Sequence, residues 1–177
     1  VYIDKTRKNM VLDHFLITHD SMQIVLDGNL SAFDINLRNA DLTHLNYLLS
    51  RDTTIINKGR LNGNVSYSQD QQLNINAAID SLSLYNSNPF SVTVTAVRNE
   101  NQVPFEFHLT NEANKIDLNG EYFLDNAEVD ASLLLDVQNL ELFAFLLTGV
   151  FEKMNGVLKG ETHIHGPIQT PTFDGTL

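Results

Sequence analysis

One unit occurs twice in this chain, about a hundred residues apart. The first copy starts with alternating residues at 33–37. It continues through Asn39-Ala40-Asp41-Leu42, a short apolar run ending at Leu49, and Gly59-Arg60-Leu61-Asn62-Gly63. The second starts at 133–137 and continues through Asn139-Leu140-Glu141-Leu142, an apolar run to Leu147, and Gly156-Val157-Leu158-Lys159-Gly160. Repeats of this length point to a modular, extended architecture in which each module completes the core of its neighbour. Such an architecture suits a structural or conduit protein better than a compact enzyme with one cleft. Repeat-like units are expected at about 24–68 and 129–177, joined by meander strands at 70–127.

Between and within the units, alternation with period two dominates. Ile75 and Ile79 share a face, as do Val92 and Val94, Phe105 and Phe107, Ile116 and Leu118, and Leu133 and Leu135. Successive strand residues point to opposite sides, so each such strand has one apolar and one polar face. Asn- and Asp-rich turns fall at 27–29, 85–89, 99–101, 110–114 and 124–126. These residues close turns on their own backbone. The spacing predicts an antiparallel meander of roughly ten strands.

Two segments break the period. Leu42, Leu45, Leu48 and Leu49 have the spacing of one face of a short helix, with Asn39 or Asp41 as its N-cap. Leu142, Phe145 and Leu146, flanked by Phe143 and Val150, predict a second short helix, apolar almost all round and therefore buried against a sheet. Gly59 and Gly156 are expected to end these excursions.

The totals narrow the function. A chain of 177 residues with 42% hydrophobic content is large enough to bury a core. Twenty-two Asp and Glu against 11 Lys and Arg give a net charge of −11 with no basic cluster, which makes nucleic acid a poor partner. There is no cysteine, hence no disulfide framework, thiol chemistry or cysteine zinc site. No apolar run approaches the ~18–20 residues of a helical membrane span. The chain opens and stops in strand-like sequence and reads as a single piece of a longer polypeptide.

The units resemble the repeats of the TamB/AsmA-like family, the translocation and assembly module proteins of the bacterial envelope. The best stretch runs from Leu140 onward. There an apolar helix-like segment is followed by Gly156-Val157-Leu158-Lys159-Gly160, then Gly166-Pro167 and Pro171-Thr172-Phe173-Asp174-Gly175-Thr176-Leu177. The stretch from Asn39 to Tyr67 is a second, weaker match without that tail. The resemblance implies a periplasmic segment of a parent protein anchored in the inner membrane of a diderm bacterium. It implies work with an outer-membrane assembly barrel, in phospholipid transport, outer-membrane protein assembly, or both.

The fold expected is therefore all-β: an elongated, curled, mostly antiparallel sheet, a taco-like half-tube with an apolar concave face and two short amphipathic helices. Ile75, Ile79, Val92, Val94, Phe105, Phe107, Ile116, Leu118, Leu133 and Leu135 are the candidate lining of that groove. Its guest would be phospholipid acyl chains or client β-strands, and the helices would plug or cap it. An apolar lining needs no catalytic groups, and no nucleophile, phosphate-loop or metalloprotease motif is present. No enzyme activity and no cofactor are expected. His163 and His165 sit at i and i+2, so both rings can face one side. Without a nearby third ligand in the sequence, they read as surface histidines rather than a metal site. His14 and His19 are five residues apart and would face opposite sides of a strand. The alternative reading is an adhesive or ligand-binding β-sandwich of an extracytoplasmic protein, in which the apolar faces pack on each other.

Overall fold

A computed structural model describes residues 2–4, 9–29, 31–49, 54–68, 70, 72–85, 87–147 and 155–176. The alternating segments form one antiparallel sheet of twelve strands in which every strand pairs with its chain neighbours. In order they are β1 (Tyr2–Asp4), β2 (Asn9–His19), β3 (Met22–Asn29), β4 (Ala32–Asp41), β5 (Ile56–Tyr67) and β6 (Leu73–Leu84). There follow β7 (Phe90–Val97), β8 (Gln102–Thr110), β9 (Asn114–Phe123), β10 (Glu128–Val137), β11 (Leu158–Pro167) and β12 (Thr172–Thr176). β1 and β12 are the two edges, so the sheet is open. The all-β meander is as expected, with twelve strands where the turn count predicts ten.

The register explains why one face is apolar. Directly opposed residues share a face, and one row crosses eight strands as Ile24, Leu37, Gly63, Ala77, Val94, Phe107, Leu118 and Leu133. A parallel row on the same face reads Ile35, Val65, Ile75, Ala96, Phe105, Gly120 and Ala131. Gly120 is needed there for close approach, because a Cβ on it would lie 2.3 Å from the Asp130 carbonyl oxygen. The single layer leaves 11857 Å² of surface accessible. A compact chain of 19.9 kDa would leave roughly 8,700 Å².

The turns are closed largely by asparagine. Asn29 accepts from the amides of Ser31 and Ala32, and Asn111 from those of Ala113 and Asn114. The turn expected at 27–29 falls slightly later, since Asp27, Gly28 and Asn29 still belong to β3. Bulges interrupt β2 between Leu12 and Phe15, β4 between Leu37 and Ala40, and β6 between Ile79 and Leu82. Each holds one non-glycine residue at positive φ: His14, Asn39 and Ser81. A bulge bends its strand and increases local twist, which favours a curled sheet over a flat one.

The two expected amphipathic helices are not formed. The first excursion is a 3-10 turn, Leu42–Leu45, continued by a four-residue α turn, Asn46–Leu49. The second is 3-10, Leu140–Leu147. Short isolated helices are marginal, and a 3-10 turn does not gather i, i+3 and i+7 on one stripe. In the first turn only Leu42 is buried, and Leu45, Leu48 and Leu49 are exposed. Asp41 is the cap, accepting from the Thr43 amide at 2.9 Å, while Asn39 sits in the β4 bulge. Asn139 caps the second turn through the Glu141 amide at 3.0 Å. The structural partner of Asn139 is thus Asp41, two residues later than the sequence alignment of the units suggests. Gly59 is likewise inside β5 rather than before it, whereas Gly156 precedes β11 with φ 122°. Val150, Phe151, Met154 and Leu177 lie outside the described residues, as do the side chains of Phe145 and Leu146.

Asn46 holds the first turn in place. Its Oδ1 accepts from the Ile55 and Ile56 amides at 3.0 and 2.8 Å, and its Nδ2 donates to the Ile56 carbonyl at 2.7 Å. Ile55 and Ile56 are buried, so Asn46→Ala strands two amides away from water. We expect a loss of about 2–3 kcal/mol from three missing bonds, read as a lower urea midpoint. A loss below about 0.5 kcal/mol would show that the turn is held by something else.

Candidate functional site

All ten candidate lining residues lie on the same face of the sheet, by the register of β6 through β10. Only Val92 is buried. The other nine are half-buried, although they form a continuous apolar surface. No second sheet covers that surface among the described residues. An extended apolar face left open in this way is unusual in a monomeric domain.

One margin of the face is sealed. Both helical turns lie at the end of the sheet where β4, β6, β8 and β10 finish, and they contribute to a single buried cluster. Leu42 from the first turn and Phe143 from the second join Ile56, Leu82, Leu84, Phe90, Val92, Leu109 and Val137. Phe90 is 1% exposed, and its ring meets that of Phe143 edge-on at 6.0 Å between centroids. Edge-to-face contact is a favoured arrangement of aromatic rings. The cluster grades into the open face through Ile79, Val94, Phe107 and Ile116, which pack against it while keeping part of their surface free. Across the face, at the opposite margin, the rings of Phe33 and Tyr67 meet at 5.8 Å between centroids, tilted by 31°.

The face also extends beyond the ten residues. Ile17, Ile24, Leu26, Ile35, Leu37 and Val65 continue it onto β2 to β5. The alternation of Ile24 with Leu26 and of Phe33, Ile35 and Leu37 carries the signal. The β4 bulge at Asn39 then displaces the register, so that Leu61 faces Ala40 and not Asn39.

The other face is polar and acidic. Asp117 is its best-held carboxylate: Lys115 Nζ donates to Oδ2 at 2.6 Å and His108 Nδ1 lies 2.9 Å from Oδ1. These two bonds, Lys115 first, hold the Asp117 carboxyl below the usual carboxylate range. Lys159 does the same for Asp136 from across β10 and β11. His163 and His165 share this face, as their spacing predicts. They stand beside Asp130 and Asp174 from the strands on either side. His14 and His19 approach different carboxylates, Asp27 and Asp20, and share no site. Among the described residues, no group of three or more histidine, aspartate or glutamate side chains could hold a metal ion. No helix among them is long and apolar enough to cross a membrane.

No protein-family model, no curated protein and no solved structure matches this chain.

Proposed function

We propose that this chain is a segment of a TamB-like, periplasm-spanning envelope protein whose open apolar face shelters the acyl chains of phospholipids. The observation that carries this reading is the ten-residue apolar lining that remains half-buried on an uncovered sheet. Each methylene removed from water by such a surface is worth about 0.8 kcal/mol, so even a single acyl chain laid along the rows gains substantially. The repeated strand–turn–strand unit supports a modular sheet that other segments of the same kind would extend. In that setting the segment works between an inner-membrane anchor carried by the parent chain and an outer-membrane assembly barrel that the parent chain engages as a partner, and client β-strands are a second guest of the same surface. The β-sandwich alternative needs two packed sheets, and the described residues make one. No catalytic role is part of this reading.

The test is organic extraction of the purified 177-residue chain followed by mass spectrometry for lipid. About one or more phospholipids per chain is the expected result. Lipid-free protein that also fails to take up phospholipid from mixed micelles would sink the acyl-chain reading.

A further inference from the structure

A concavity that the groove does not use opens at the sealed end of the sheet. It encloses about 730 Å³ among the β6–β7 turn, the β8–β9 turn and the second helical turn, and none of the ten groove residues lines it. That volume is in the range of small-molecule sites. Its walls are tied to one another by asparagine. Asn111 Nδ2 donates to the Asn88 carbonyl at 3.2 Å, joining the first two turns. Asn114 Oδ1 accepts from the Gln138 amide at 2.9 Å, joining the start of β9 to the approach to the second helical turn. The concavity therefore keeps its shape without a ligand, which lowers the cost of binding one.

The chemistry inside is mixed in a particular way. Tyr85 and Leu142 are half-buried, pack against the buried cluster and give the concavity an apolar side. Beside them the Tyr85 hydroxyl, the Asn88 side-chain amide and the Glu141 carboxylate have no hydrogen-bond partner among the described residues. Asn139 uses only its Oδ1, which accepts from the Glu141 amide, so its Nδ2 is also unengaged. No lysine, arginine or histidine is among the lining residues described. An anionic ligand would find no counter-charge there, and the net charge of −11 would repel it.

We propose that this concavity binds a neutral saccharide bearing an N-acetyl group. A sugar ring has C–H faces that suit the ring of Tyr85 and the side chain of Leu142. Its hydroxyls both donate and accept, which suits a carboxylate acceptor at Glu141 and an amide donor at Asn139. An acetamido group is itself an amide, so its N–H and carbonyl match the Oδ1 and Nδ2 of Asn88. The site makes no use of the apolar face, so its test and that of the lipid reading fail independently.

The experiment is calorimetric titration of the 177-residue chain with N,N'-diacetylchitobiose. One saturable site per chain is expected. Cellobiose has the same linked rings with hydroxyls in place of the acetamido groups, and should bind at least about tenfold more weakly. N88A and E141Q should each weaken diacetylchitobiose binding by roughly tenfold, the effect of one lost hydrogen-bonding group. Both positions are exposed, so urea midpoints should stay close to that of the parent chain. E112Q alters an exposed carboxylate of the β8–β9 turn that does not line the concavity, and should leave affinity as it is. Absence of saturable binding would overturn the proposal, as would equal affinity for cellobiose. So would full affinity in the N88A/E141Q double variant, or an equal loss in E112Q.

Discussion

Phe90→Ala is expected to lose about 3–5 kcal/mol of stability, the range for emptying a fully buried phenylalanine site. Phe90 opens β7, is 1% exposed, and lies where the two helical turns meet the sheet. The cavity cannot collapse easily, because its walls belong to different elements: Leu82 is directly opposite on β6, and Phe143 comes from the second turn. Phe143→Ala should cost a comparable amount. In a double-mutant cycle the pair should couple by about 0.5–1.5 kcal/mol, the part owed to the edge-on ring contact. Urea denaturation followed by far-UV circular dichroism gives all four corners of the cycle. A loss of under about 1 kcal/mol in Phe90→Ala would mean that the second turn is not packed on the sheet in solution, and the sealed margin would have to be given up.

That margin also shows what was legible in the sequence. The alternation from Leu73 to Val137 placed ten residues on one face, and the structure puts all ten there, because period two and a ladder that is continuous at those ten positions, with the β6 bulge falling after Ile79, leave no freedom. The helical excursions were legible in position and not in form. The spacing of Leu42, Leu45, Leu48 and Leu49 is helical, yet the Asn46 side chain ties the segment to the start of β5 after a single 3-10 turn. Asn39 looks like a cap because it precedes an apolar run. It is instead the extra residue of a bulge, where an asparagine tolerates positive φ. Nothing local distinguishes the two uses.

Leu118→Glu is expected to abolish lipid occupancy while leaving the sheet folded. Leu118 sits mid-row between Phe107 and Leu133, half-buried, with no covering layer. In the empty sheet a carboxylate there still reaches water, so the folded state should lose no more than about 1–2 kcal/mol, less than a core deletion. With an acyl chain lying across the row, the same carboxylate must be stripped of water beside hydrocarbon, at a cost of several kcal/mol. At 1.4 kcal/mol per factor of ten, lipid binding should weaken by about a hundredfold or more. Asn119→Glu, one residue along on the polar face opposite Glu106, adds the same charge and should leave bound lipid unchanged. Lipid per chain by mass spectrometry, beside urea midpoints for both variants, separates the possibilities. If Leu118→Glu instead unfolds the chain as severely as Phe90→Ala, the row is the interior of a core covered in solution, and the open face is not a groove. If it folds and keeps its lipid, the guest lies elsewhere. Only loss of lipid from a folded sheet agrees with a surface whose apolar side chains are held half-exposed to receive a guest.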